Sequence, residues 1–150
     1  IRFQTSAGRL LAAALDNHVT LYDAATGKQV SGLSGMPGHV NDMCWSANGE
    51  QLACSSEDGI FVWSLRAGRQ MAQCVKRRRA EDDRILSCLF HPHHEDRIVI
   101  GTSSSVVLWE TAKDVSVKAR ADLGSVFALA RCTTSGLIAS SHGHIVTLWQ

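Results

Sequence analysis

Residues 38–63, GHVNDMCWSANGEQLACSSEDGIFVW, decide the fold of this chain. Val40, Met43, Cys44 and Trp45 lie in one apolar run, which breaks at Ser46-Ala47-Asn48-Gly49. Gln51–Ser55 makes a second run, which breaks at Glu57-Asp58-Gly59, and a third closes on Trp63. Asn-Gly and Asp-Gly between short apolar runs are hairpin signals, because these residues accept the positive φ that tight turns between twisted strands require. The stretch reads as three consecutive antiparallel strands.

Working outward, the same unit recurs. Apolar runs ending in a large aromatic occur at His18–Tyr22, Gly59–Trp63, Ser105–Trp109 and His144–Trp149, with the aromatics 41, 46 and 40 residues apart. A second strand starts upstream of each, at Leu10, Leu52, Ile98 and Leu137, always 11 or 12 residues before the aromatic. One and three residues before the aromatic stand Leu21 and Val19, Val62 and Ile60, Leu108 and Val106, Leu148 and Val146. The aromatic's own face carries Thr20, Phe61, Val107 or Thr147. Strand residues alternate faces, so apolar character on both sides means a sheet covered on both sides. With a period of about 40–45 residues, this predicts an all-β fold of four-stranded propeller blades stacked side by side.

Gly38-His39 heads the unit, Trp63-Ser64 ends it, and Tyr22-Asp23 ends the one before. These residues make the chain resemble the WD-repeat family, whose repeats open on Gly-His and close on Trp-Asp. The resemblance covers essentially all of the chain and implies a β-propeller, here a partial ring of about four blades divided at 1–37, 38–76, 84–122 and 123–150. The first and last blades are expected to be incomplete: Phe3 ends an innermost strand whose start is missing, and nothing follows the third strand of blade four. Rings in this family are usually larger. Further blades outside the chain are therefore expected to complete the ring, with Gln150 as a true C-terminus and a missing N-terminal part. In WD repeats a His, an Asp, a Ser or Thr and a Trp form a buried hydrogen-bonded set. The resemblance implies His39, Asp58, Trp63 and Ser55, or its neighbour Ser56, as that structural tetrad in blade two.

Phe3–Ala14, Val40–Trp45, Ser56–Trp63, Cys88–Pro92, Ile98–Gly101, Gly136–Ser141 and the closing His144–Gln150 are together similar to the plant LEUNIG group of Groucho/Tup-type transcriptional corepressors. That similarity implies a nuclear protein-interaction scaffold, recruited by adaptor proteins or transcription factors, whose propeller makes no direct contact with nucleic acid. The chain departs from the group in a charged Lys76–Asp83 segment and in Ser141-His142-Gly143-His144. A substrate receptor or assembly scaffold in another pathway, such as ubiquitin ligation, with a cytoplasmic location, is the competing reading. Binding by propellers uses loops held rigid by the blades. The turns between strands two and three share an end with the blade-linking turns, so Asn17, Asn41, Glu57, Ser103 and His142 are the expected partner-facing residues.

Composition narrows the function classes further. The formal net charge of +1 argues against nucleic acid or an anionic membrane as the partner. Lys76-Arg77-Arg78-Arg79 is followed by Glu81-Asp82-Asp83 and reads as a solvated loop after an outer strand at Arg69–Val75, in preference to an import tag. No run of 18 apolar residues exists, and Ile1-Arg2-Phe3-Gln4 does not begin a signal peptide. Cys44, Cys54, Cys74, Cys88 and Cys132 are odd in number with no Cys-x-x-Cys spacing, and read as reduced, mostly core thiols of an intracellular protein. His91-Pro92-His93-His94-Glu95-Asp96 offers too few converging ligands for zinc, so no metal is expected. With no phosphate loop, nucleophile elbow or His-Glu-x-x-His, the chain is expected to be no enzyme and to use no cofactor.

Overall fold

The computed structural model describes residues 1–6, 8–65, 83–120, 124–132 and 134–149, together with the backbone of 73–79. Four antiparallel sheets are present, and no helix occurs among the described residues. Sheet 1 runs in the order β1 (Arg2–Phe3), β2 (Leu10–Leu15), β3 (His18–Asp23), β4 (Gln29–Leu33). Sheet 2 repeats it with β5 (Val40–Trp45), β6 (Gln51–Ser56), β7 (Gly59–Ser64) and β8 (Gln73–Arg79). Sheet 3 consists of β9 (Ile85–Phe90), β10 (Arg97–Thr102), β11 (Val106–Glu110) and β12 (Val115–Arg120). Sheet 4 has three strands, β13 (Val126–Arg131), β14 (Ile138–His142) and β15 (Ile145–Trp149). Phe3 does end a short first strand, and the described part of sheet 4 stops at its third.

Lys76–Arg79 differs from expectation. These residues lie in β8, where Arg77 opposes Phe61 and Lys76 opposes Val62, and do not form a loop. β8 is the outer edge of its sheet, a position where Lys and Arg discourage pairing with another chain.

Three buried clusters hold the sheets together, each joining the aliphatic face of one sheet to the aromatic face of the next. Val19, Leu21 and Leu33 of sheet 1 meet Leu52, Cys54, Phe61 and Trp63 of sheet 2. Ala53, Ile60 and Val62, on the other face of sheet 2, meet Phe90, Ile98, Ile100, Val107 and Trp109 of sheet 3. Val99 and Val106 meet Val126 and Ile138, with Leu108, Leu129 and Trp149 at the margin. Ile60 and Val62 are 0% and 2% exposed, whereas the equivalent Val146 and Leu148 of sheet 4 are 67% and 66% exposed. Sheet 4 thus has no neighbour on that face among the described residues. Phe3 and Leu15, on the aromatic face of sheet 1, are exposed as well, so the ring of sheets is not closed. Cys44, Cys54 and Cys88 are buried as expected, but Cys132 is exposed in the hairpin after β13.

The innermost strands of sheets 2, 3 and 4 share one irregularity. Register shifts fall between Val40 and Asp42, opposite Gly101 and Thr102, and between Val126 and Ala128, leaving Asn41, Leu86 and Phe127 as bulged second residues. A bulge re-aims the side chains around it. Past it, Ser87 Oγ donates to the Val126 carbonyl at 3.0 Å, tying β9 to β13. Gly101 makes that approach possible, since a Cβ there would stand 2.3 Å from Ser87 Oγ and 2.8 Å from the Val126 carbonyl oxygen. Gly101→Ala is accordingly expected to lower stability by about 1–3 kcal/mol through overpacking. Urea unfolding monitored by tryptophan fluorescence checks this, and an unchanged midpoint would contradict the packing described for the junction of sheets 3 and 4.

Candidate interaction surface

One end of the stack gathers the turns between second and third strands and the connections between sheets. Asp16 takes a positive φ of 54° in the first turn, and its carbonyl accepts the Val40 amide at 2.8 Å. The Asp16 carboxylate stands 3.6 Å from His39 Nδ1, with both side chains well exposed. Arg84 Nη2 donates to Glu57 Oε1 at 2.8 Å, the Arg84 carbonyl accepts the Ser103 amide at 2.9 Å, and Ser125 Oγ donates to the Ser103 carbonyl at 3.4 Å. The loops of sheets 2, 3 and 4 are therefore linked into one surface.

Asp83 anchors the middle of it. Its carboxylate accepts the hydroxyls of Ser104 at 2.7 Å, Ser103 at 3.2 Å and Thr102 at 3.4 Å, with Lys118 Nζ at 3.9 Å. The Ser104 hydrogen bond, then that of Ser103 and the Lys118 charge, outweigh partial burial and hold the Asp83 carboxyl below its ordinary value. In the sequence, Asp83 ends an acidic run that follows the basic Lys76–Arg79. The signal available was the run Thr102–Ser105, four hydroxyls in one turn that can gather on a carboxylate.

The five residues expected to face a partner fare differently. Asn17 and Glu57 are exposed, Glu57 in its ion pair with Arg84. Asn41 is also exposed, but its amide is committed to the Ile85 carbonyl at 2.7 Å, a reach across to sheet 3 from a bulged position. Ser103 is half-buried under Asp83. His142 is buried, and its Nε2 lies 2.7 Å from Thr147 Oγ1, so its ring points into sheet 4 and is not presented at the surface.

His39, Ser55, Asp58 and Trp63 are not brought together. His39 is exposed beside Asp16, Ser55 Oγ donates to the Asp42 carbonyl at 3.3 Å, and Asp58 Oδ2 lies over Gly38. Trp63 is buried with its indole Nε1 lacking an acceptor among the described residues. Register explains the difference. In sheet 4, Trp149 Nε1 donates to Ser140 Oγ at 2.8 Å, nine residues earlier. Ser140 opposes Thr147 just as Cys54 opposes Phe61, so the thiol of Cys54 stands where the hydroxyl would be and Ser55 faces the other way.

The inner rim carries a second set of polar contacts that the sequence did not reveal. Asp42 pairs with Arg2 at 2.8 Å and accepts the amides of Met43 at 2.8 Å and Cys88 at 3.3 Å. One carboxylate thus connects the innermost strands of sheets 1, 2 and 3. Arg2, Asn41 and Asp42 border a small cleft of about 220 Å³ between sheets 1 and 2. Among the described residues no group of three or more His, Cys, Asp or Glu side chains has the arrangement to hold a metal ion. Nor is any described helix long and apolar enough to cross a membrane.

Comparison with known proteins agrees with this architecture. Residues 27–64 match the family model described as WD domain, G-beta repeat. The whole chain is 34% identical over 152 residues to the Arabidopsis thaliana protein named transcriptional corepressor LEUNIG_HOMOLOG, of which it spans 19%. It is 32% identical over 110 residues to the Schizosaccharomyces pombe target of rapamycin complex subunit wat1, covering 71% of this chain and 33% of that one. Mouse WD repeat and SOCS box-containing protein 1 is 31% identical over 107 residues, or 69% of this chain and 25% of its own. The chain therefore spans from 19% to 33% of the length of these three relatives.

Two substitutions test this equivalence of register. Ser140→Ala leaves the Trp149 indole without its acceptor and is expected to cost about 1–3 kcal/mol. Cys54→Ser places a hydroxyl at the equivalent site below Trp63 and is expected to stabilise by about 0.5–1.5 kcal/mol. Denaturant midpoints of both variants measure this, and a destabilised Cys54→Ser protein would break the equivalence.

Proposed function

From the premise that the chain belongs to the WD-repeat family, we propose that it serves as the interaction platform of a nuclear transcriptional corepressor. The observation that carries the reading is its identity along its whole length to a relative named as a corepressor. In this reading the chain performs no chemistry and contacts no nucleic acid. Adaptor proteins or DNA-bound factors dock on the loop end, where Asn17 and the Glu57–Arg84 pair are exposed, and the blades hold those loops in a fixed arrangement. The linkage through Asp83 and Ser103 supports it, because loops already ordered lose little conformational entropy when a partner binds.

A second reading is favoured by the resemblance to the SOCS box-containing protein. Here the same loop end receives a substrate for a ubiquitin ligase, in the cytoplasm. Both readings share the platform and differ in cargo.

Fusing the chain to a heterologous DNA-binding domain and measuring a reporter separates them. Repression of the reporter, lost in Glu57→Lys, is expected under the corepressor reading. The same substitution is expected to weaken capture of the recruited protein by about tenfold, roughly 1.4 kcal/mol, with an unchanged circular dichroism melt. Unaltered transcription by a folded fusion that instead captures ubiquitin ligase subunits would favour the second reading.

A further inference from the structure

Cys44 lies on β5 of sheet 2 and Cys88 on β9 of sheet 3. Their sulfurs are 3.8 Å apart, and both side chains belong to the buried cluster joining the two sheets. We infer that Cys44 and Cys88 form an oxidation site, in which a small peroxide converts the two thiols into a disulfide that covalently joins neighbouring blades. The inference stands apart from the function proposed above, since it needs only the junction of sheets 2 and 3.

The geometry calls for little movement. A disulfide has its sulfurs about 2 Å apart, so the pair must close by less than 2 Å between two strands already packed face to face. The residues are 44 apart in sequence, so the bond would close a long loop and restrict the unfolded chain accordingly. Cys88 Sγ also lies 3.8 Å from the Ala53 carbonyl, a contact that holds it as a thiol in the reduced state. The Cys44 hydrogen bond, followed by burial, pushes the Cys88 thiol well above its ordinary value. Cys44 is the less deeply buried of the two, which makes it the first to react.

The chemistry balances with hydrogen peroxide as the oxidant. The Cys44 sulfur, on losing its proton, attacks one peroxide oxygen and the O–O bond breaks. Cys44 becomes a sulfenic acid, and the departing hydroxide takes up the proton as water. The Cys88 sulfur then attacks the sulfenic sulfur, an S–S bond forms, the S–O bond breaks, and the second hydroxide leaves as water with the Cys88 proton. Two thiols lose two electrons to one peroxide, and a dithiol reductant reverses the change. Cys132 provides an internal comparison. It is exposed, and hydrogen bonds from Ser135 and Thr134 lower its pKa to about 6, so it reacts earlier and without a nearby described cysteine.

The test treats the unaltered chain with hydrogen peroxide, alkylates remaining thiols, and maps peptides by mass spectrometry without reductant. Expected are a Cys44–Cys88 cross-linked peptide lighter by two hydrogens, released by dithiothreitol, and a thermal midpoint higher by about 5–10 °C. With Cys88→Ser the cross-link disappears, and a sulfenic acid at Cys44 is trapped by dimedone. With Cys44→Ala, Cys88 is recovered as a free thiol. A cross-link from Cys88 to Cys54 would overturn the inference. So would over-oxidation of Cys44 beside an intact Cys88 thiol, or full alkylation of both after peroxide treatment and unfolding.

Discussion

Each sheet in this chain is apolar on both faces, and it is stable only when an aromatic face meets an aliphatic one. Three such meetings occur among the described residues. The Trp63 face of sheet 2 lies on Val19 and Leu21, the Trp109 face of sheet 3 on Ile60 and Val62, and the Trp149 face of sheet 4 on Val106 and Leu108. Burying a large aliphatic or aromatic side chain contributes about 1.5–3 kcal/mol each, so these faces outweigh any single hydrogen bond in the structure. The same rule accounts for what is exposed. Val146 and Leu148 present the aliphatic face to solvent, and Phe3 and Leu15 stand on the aromatic face at the other end of the stack.

Polar contacts then fix how the faces sit on one another. At one end, Gln4 Nε2 donates to the Gly49 carbonyl at 2.8 Å, Thr5 Oγ1 to Ser46, and Ser6 Oγ to Asn48 at 2.9 Å, which seats the first hairpin on the second. Asn48 reaches Glu95 of the third at 2.8 Å, and His93 packs on Gly136 of the fourth. Along the inner rim, Asp42 and Ser87 tie consecutive innermost strands. At the other end, Glu57, Arg84, Asp83 and Ser103 bind the loops together. That end combines order with exposure, and these two properties support reading it as the place where a partner docks.

The alternation of apolar residues made the fold legible, because the Val-x-Leu-aromatic pattern is set by burial on both faces and nothing else in the chain competes with it. The innermost strand of sheet 1 and the three strands of sheet 4 could be read by the same spacing. Side-chain partnerships were less accessible, since each turns on one residue of register. Ser55 sits one position from the Trp63 indole's partner site, and parity sends it to the opposite face. His142 looked like a turn residue and is the last residue of β14, turned inward onto Thr147. Asn41 is bulged, and a bulge leaves no mark in the hydrophobic pattern. Asp42 finds its partners on sheets 1 and 3, and Asp83 finds its own 19 to 35 residues further along sheet 3, at separations no local motif encodes. The Lys76–Arg79 run was legible as charge but not as strand, because an outer edge tolerates charge that an inner strand would exclude.

Function in such an assembly belongs to whatever the sheets hold still, which requires neighbouring sheets to open together. Native-state amide hydrogen exchange at increasing denaturant measures it directly. β5 and β6 of sheet 2 and β9 and β10 of sheet 3 are expected to exchange through one event with one free energy, while β15, which has no described strand on its outer edge, exchanges first. Separate opening free energies for sheets 2 and 3, or protection of β15 equal to that of β7, would contradict the account.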